Sequence, residues 1–171
     1  MKFEPGDIVF IMHNESWLSK AIAKVMGSKW SHSAVVYGEA FGKTLLCETS
    51  LYQVNLDYLD RYLDDPNCEI EVYRKAGVSD CAPKIRSNCD PMLGKMYGYL
   101  QLLSLGLRRL FRLKIPNLIH QGLVCCHVIA YSLNGVDECF TGLEKESFDT
   151  EELYRMMEEF KYINVYKNIM P

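Results

Sequence analysis

Lys29-Trp30-Ser31-His32-Ser33-Ala34-Val35-Val36-Tyr37 and, much further along, Gly122-Leu123-Val124-Cys125-Cys126-His127-Val128-Ile129-Ala130-Tyr131 are the stretches on which the fold turns. The first reads as a strand with a histidine at its mouth. His32, Ala34 and Val36 share one face, while Ser33, Val35 and Tyr37 share the other. The second reads as a helix beginning at Cys125, with Val128, Ile129 and Leu133 supplying a buried side. A thiol at a helix start and an imidazole on a strand are two parts that an activated sulfur needs, provided the chain brings them together.

Outward from these stretches, Ile8 to Met12 is a short apolar run suited to a buried strand after the Pro5-Gly6-Asp7 turn. Ser16 can cap a helix whose Trp17, Leu18, Ala21, Ile22, Val25 and Met26 share a face and whose stop is Gly27. Residues 44 to 49 form a second strand, joined to the His32 strand through Gly38 to Lys43, and the two make an antiparallel hairpin. If that hairpin closes with a three-residue loop, His32 faces Glu48 directly; a one-residue slip would turn Glu48 to the other face.

Residues 55 to 63 are expected to form a short helix and 68 to 74 a strand. A helix opened by Ser79 or Asp80, with Pro83 in its first turn, ends near Asp90-Pro91. Another follows Gly94 and runs through Arg112 until Pro116 stops it. Helices at 125 to 133, closed by Asn134-Gly135, and at 149 to 160 precede a final strand over 161 to 169. The expectation is one α+β domain over residues 1–171, an antiparallel sheet packed against helices.

With 171 residues, 49% hydrophobic and 24% charged, the chain can bury its own core. Its net charge of -3 argues against a nucleic-acid partner bound through phosphate neutralisation. The amino terminus lacks a basic-then-apolar signal layout, so a cytoplasmic location is expected. Seven cysteines, at 47, 68, 81, 89, 125, 126 and 139, are an odd number without two-residue spacings. That suggests free thiols rather than a disulfide framework or zinc ribbon, and no cofactor is called for.

An ordinary thiol, with a pKa of about 8.5, is only slightly ionised at neutral pH. Lowering it by about 3 units requires about 4 kcal/mol, of which a helix amino terminus supplies roughly 0.3 to 2. A protonated histidine must provide the rest, and a carboxylate such as Glu48 would orient that histidine and stabilise its charge. The ordinary reading of a single cysteine is a small buried hydrophobe, and of Glu48 a solvated strand-end charge. Cys126 is the rival nucleophile. Adjacent helical residues diverge by about 100 degrees, so one of the pair alone can face a cleft, and a metal site made of Cys125, Cys126 and His127 is disfavoured.

Gly6-Asp7-Ile8-Val9-Phe10, Trp30-Ser31-His32-Ser33-Ala34-Val35-Val36, Leu46-Cys47-Glu48, Gly94-Lys95-Met96-Tyr97 and Cys125 with Val128, Ala130 and Leu133 together resemble the circularly permuted NlpC-type papain-like hydrolases, including the YiiX-like branch. The resemblance covers residues 6 to about 135 and has the histidine strand first and the nucleophile helix last. It implies a permuted papain-like fold in which Cys125 is the nucleophile, His32 the base and Glu48 the orienting residue. Tyr97 would lie near the cleft, Cys126 would offer a backbone N–H to the substrate, and Asp7 would be a turn residue. The family commonly has Cys-Ser-Glu where this chain has Cys125-Cys126-His127, which leaves His127 without a family role; it is expected on the helix surface. His13 and His120 have no evident partner.

The activity implied is hydrolysis of an amide bond in a peptide, cell-wall-type peptides being the first candidates, through a thioester. A papain-like binding module without catalysis is the alternative. A lipid- or acyl-directed thiol hydrolase or acyltransferase is another, because Arg108, Arg109, Arg112 and Lys114 sit among leucines in a stretch without acidic residues from Tyr97 to Asp137. Such a segment can lie on a membrane surface, although a core helix with a basic solvated end is the favoured reading.

Overall fold

A computed structural model describes residues 2–111, 122–143 and 148–169. Six strands form one antiparallel sheet: β1 (Ile8–His13), β2 (His32–Ala40), β3 (Lys43–Thr49), β4 (Val54–Tyr58), β5 (Cys68–Arg74) and β6 (Ile163–Asn168), in the order β4-β3-β2-β1-β5-β6. The two-residue period of β1 and β2 divides their side chains between two apolar layers. Ile8, Phe10 and Val35 join Cys126, Val128, Ile129 and Leu133 on one side. Val9, Ile11, Ala34, Val36, Leu46, Ile70 and Val72 form the layer on the other, with Tyr62 and Leu63 packed against it. The chain is thus α+β, and the central strands are covered on both faces.

The helices are α1 (Trp17–Met26), α2 (Asp60–Leu63), α3 (Ala82–Cys89), α4 (Tyr99–Phe111), α5 (Cys125–Leu133) and α6 (Thr150–Glu159). Ser16 caps α1 by accepting from the Ser19 N–H, and Gly27 ends it in the left-handed conformation. Asp149 and Glu152 close a capping box on α6.

Three expectations are corrected. Residues 55–63 do not form one helix: Val54 to Tyr58 pair with β3 as a strand, and the single turn of α2 follows. The alternation of Val54, Leu56 and Tyr58 fits a strand, and cross-strand pairing outweighs a weak helical preference. The helix after Gly94 starts later, at Tyr99, because Met96 and Tyr97 are drawn into bridges with Gln53 and Leu123; its continuation through Arg112 lies outside the described residues.

The third correction concerns the β2–β3 hairpin. Its loop has two residues, Phe41 and Gly42, both at positive φ (53° and 74°), so Ala40 pairs with Lys43. This is the turn whose twist matches the flanking strands. The pairing then shifts between Val36 and Gly38, making Tyr37 an extra residue on β2, and Val35 faces Cys47. A two-residue turn alone would have put Glu48 on the Val35 face. The bulge at Tyr37 restores it to the face of Ala34 and His32, so the expected face is right and the expected loop is not.

Candidate active site

The nucleophile candidate begins α5. Cys125 and Cys126 are its first two residues, behind Val124, which is extended and makes no side-chain cap bond. Among the described residues their N–H groups meet no carbonyl of the preceding turn, as is general for the first turn of a helix, and this leaves a local positive end beside the Cys125 sulfur. The segment entering α5 is held by a close glycine contact: Gly122, at φ +138°, lies where a Cβ would come within 2.8 Å of Gly98 Cα and of the Met96 carbonyl. That approach allows Tyr97 to bridge Leu123, with the Gly98 N–H donating to the Leu123 carbonyl at 2.9 Å.

His32 opens β2. Its Nε2 lies 2.8 Å from Glu48 Oε2, and the Cys125 sulfur is close enough for the two groups to shift each other's pKa. Glu48 is 1% exposed, not a solvated strand-end charge, and the Tyr62 hydroxyl sits 3.0 Å and 2.8 Å from its two oxygens. Burial alone would depress the His32 pKa, but the neighbouring Cys125 and Glu48 outweigh it and raise the pKa to about 10. Burial and the adjacent Glu48 push the Tyr62 phenol up, which keeps it a donor.

Cys125 is held well below the ordinary thiol range: the Cys126 thiol can donate to it, burial opposes, and the neighbouring His32 charge adds, with a smaller contribution from Ser33, whose hydroxyl lies outside hydrogen-bond geometry among the described residues. The Cys126 thiol has one proton, however, and its sulfur lies 3.1 Å from the Phe148 carbonyl. That proton cannot serve both acceptors, so the imidazolium is the dependable source of stabilisation. Cys126 itself is driven well above the ordinary range, first by burial. A low Cys125 and a high His32 describe an ion pair over neutral pH.

A cleft of about 360 Å³ is bordered by His32, Glu48, Tyr62, Tyr97, His13 and Arg61 among others. Cys125 borders a smaller space of about 20 Å³ with Ser31, Tyr97, Ile22 and Thr150, enough for one water. The structure therefore brings Cys125, His32, Glu48 and Tyr97 together. Cys126 contributes no side chain to the cleft; its backbone N–H is what stands at the helix start. Asp7 is buried and accepts both Arg74 (2.7 Å, twice) and the Glu4 N–H (2.8 Å), a turn anchor remote in role from the cleft.

His127 is not on the helix surface. It is fully buried with its ring 5.3 Å from that of Phe148, because α5 is enclosed on all sides. His13 has a partner after all, Asp65 at 3.2 Å; His120, Arg112 and Lys114 lie outside the described residues. Sequence reasoning missed Tyr62, Ser33 and Thr150, the last 3.8 Å from the Cys125 sulfur. No local pattern marks them, since each is defined by a contact distant in sequence.

A third space, about 330 Å³ and apolar, runs between α1 and α4, from Ala21, Val25 and Met26 to Leu102, Leu103, Gly106 and Leu110. Ile22, Met26 and Leu102 also border the Cys125 space. Among the described residues no helix is long and apolar enough to cross a membrane, and one group of three donors could hold a metal ion: His13, Asp65 and Cys68.

The fold is that of an α+β protein of YiiX-like architecture. The structure is similar to that of metalloprotein yiiX from Escherichia coli O157:H7, a DUF1105 protein, with a TM-score of 0.63 over 99% of this chain and 100% of that one, at 16% identity. No family model and no curated protein matches the chain.

Proposed function

We propose that the protein is a cysteine hydrolase of permuted papain-like architecture that cleaves an amide bond through Cys125, His32 and Glu48. One observation carries this reading: His32, hydrogen-bonded to the buried Glu48 carboxylate, sits beside the Cys125 sulfur so that each stabilises the other's charge. The thiolate of Cys125 attacks the substrate carbonyl carbon, and the charge that develops on oxygen is met by the N–H groups of Cys125 and Cys126. His32 gives its proton to the leaving amine as the carbon–nitrogen bond breaks, leaving a thioester. Water then attacks the thioester while His32 takes its proton; the acid leaves and the thiolate–imidazolium pair is restored. Glu48, held by Tyr62, keeps the imidazole oriented and stabilises its charge.

The Cys125-Cys126-His127 departure supports the rival reading, a binding module without catalysis, less than the sequence suggested. His127 is enclosed in the core and does not border the cleft. A second reading of the substrate is favoured by the apolar groove between α1 and α4, which shares Ile22, Met26 and Leu102 with the Cys125 space. A fatty-acyl chain lying there would bring its carbonyl towards the sulfur, making the substrate an acyl ester, thioester or N-acyl amide.

Intact-mass detection of an acyl adduct tests both. Wild-type protein is offered cell-wall-type peptide amides and a series of fatty-acyl esters and thioesters, and the adduct is mapped by peptide digestion. An adduct on Cys125 is expected, with the productive donor naming the substrate class. No adduct with any donor, together with equal labelling of all seven cysteines by a thiol probe at pH 6, would leave the binding module as the reading.

A further inference from the structure

We propose that His13, Asp65 and Cys68 form a zinc site where β1 ends and β5 begins. His13, the last residue of β1, pairs directly with Cys68, the first residue of β5. Side chains in such a pair leave the sheet on the same face with Cβ atoms about 4.5 to 5.5 Å apart. Asp65 approaches from the turn that leads into β5. The Cys68 N–H donates to the Asp65 carbonyl at 3.1 Å and the Asn67 N–H to Asp65 Oδ1 at 2.8 Å. One carboxylate oxygen is thereby fixed, and the other, Oδ2, lies 3.2 Å from His13 Nε2.

The donor atoms of the three residues all lie within 4.8 Å of one another. Nitrogen and oxygen ligands held about 2.0 to 2.2 Å from a tetrahedral zinc are roughly 3.3 to 3.5 Å apart, and a thiolate stands slightly further off at about 2.3 Å from the metal. The His13–Asp65 separation already has that size, and Cys68 needs only side-chain adjustment. A nitrogen, oxygen and sulfur set suits zinc; magnesium and calcium take oxygen ligands.

An ion pair alone would account for the His13–Asp65 contact, but not for a thiol whose strand position is directly opposite the histidine and whose sulfur lies within 4.8 Å of both other donors. His13 also borders the cleft, so an ion there would stand at its rim with a fourth position free for water or a substrate oxygen. Nothing in the proposal depends on catalysis by Cys125.

Metal-stripped protein titrated with cobalt(II) and then zinc provides the test. One cobalt per chain is expected, with the absorption bands of a tetrahedral site and a thiolate-to-metal charge-transfer band, both lost when zinc displaces cobalt. The charge-transfer band should persist in Cys125→Ala and vanish in Cys68→Ser, while His13→Gln and Asp65→Asn should each weaken zinc binding at least about tenfold. Zinc should raise the melting temperature of wild type and not of Cys68→Ser. A charge-transfer band that survives in Cys68→Ser, or no saturable binding by folded wild type, overturns the site. Thiol-probe labelling of Cys125 in Cys68→Ser reports the other proposal separately and should be unchanged.

Discussion

Glu48 meets His32 on a diagonal across β2 and β3, not face to face, and it does so because Tyr37 is an extra residue in β2. Diagonal neighbours in a sheet are about 7 to 8 Å apart at the backbone, a gap that the two long side chains close to a 2.8 Å hydrogen bond. The geometry of the candidate triad is thus set by a bulge some distance from it.

Cys125→Ala should abolish turnover, by on the order of 10⁴-fold or more, while leaving the fold intact. Steady-state kinetics with the productive donor and a circular dichroism melt check both parts. In wild type, a thiol probe at pH 6 should label Cys125 far faster than the other six cysteines.

Glu48→Gln keeps a hydrogen-bonding side chain but removes the charge that stabilises the His32 imidazolium. The imidazole pKa should fall, the Cys125 thiolate should lose part of its partner, and probe labelling at pH 6 should slow by at least about tenfold. Tyr62→Phe removes a donor to both Glu48 oxygens and should cost about 1 to 2 kcal/mol in urea unfolding, with a smaller loss of labelling rate.

The ion pair also fixes how stability varies with pH. In the folded chain His32 stays protonated up to about 10, against 6.5 when unperturbed, so its contribution is complete below 6.5 and is lost as pH rises through about 10. Cys125, held well below 9.0, behaves oppositely: its contribution is complete above 9.0 and is lost as pH falls through its low folded value. Between 6.5 and 9.0 the two proton balances cancel. Glu48 still raises the His32 pKa in Cys125→Ala, so the stability of wild type relative to that variant, from urea midpoints, should rise with pH through the lower part of that window, be greatest near its upper end, and shrink as pH rises towards about 10. A difference independent of pH from 4 to about 10 would contradict the ion pair.

Phe41 is 96% exposed and occupies a left-handed position in the β2–β3 turn. Phe41→Asn should raise stability by roughly 1 kcal/mol, since Asn tolerates that conformation and the lost ring packs on little. Denaturant unfolding would show it, with the Cys125 labelling rate unchanged.

The periodic parts of the chain were readable. The apolar run of β1, the Ser16 and Gly27 boundaries of α1 and the start of α5 at Cys125 are local signals, and they stand where the sequence places them. The hairpin was less so, because the choice between a two-residue turn with a bulge and a longer loop is made by twist and packing rather than by Gly38 or Gly42. Residues 55–58 were read as helix because a five-residue edge strand shows too few alternations to decide. Tyr62 and Asp65 acquire their meaning from Glu48 and His13, partners distant along the chain.

Eight of the nine residues of α5 are buried, from Cys125 through Leu133, so the proposed nucleophile is mounted on a helix without an outer face. Fraying of a surface segment cannot unmake such a mount. Amide hydrogens of α5 past its first turn should exchange only when the molecule opens as a whole, whereas those of α4, with Leu103, Leu110 and Phe111 turned outward, should exchange through smaller openings. The sulfur would keep its station while the wall beside it breathes.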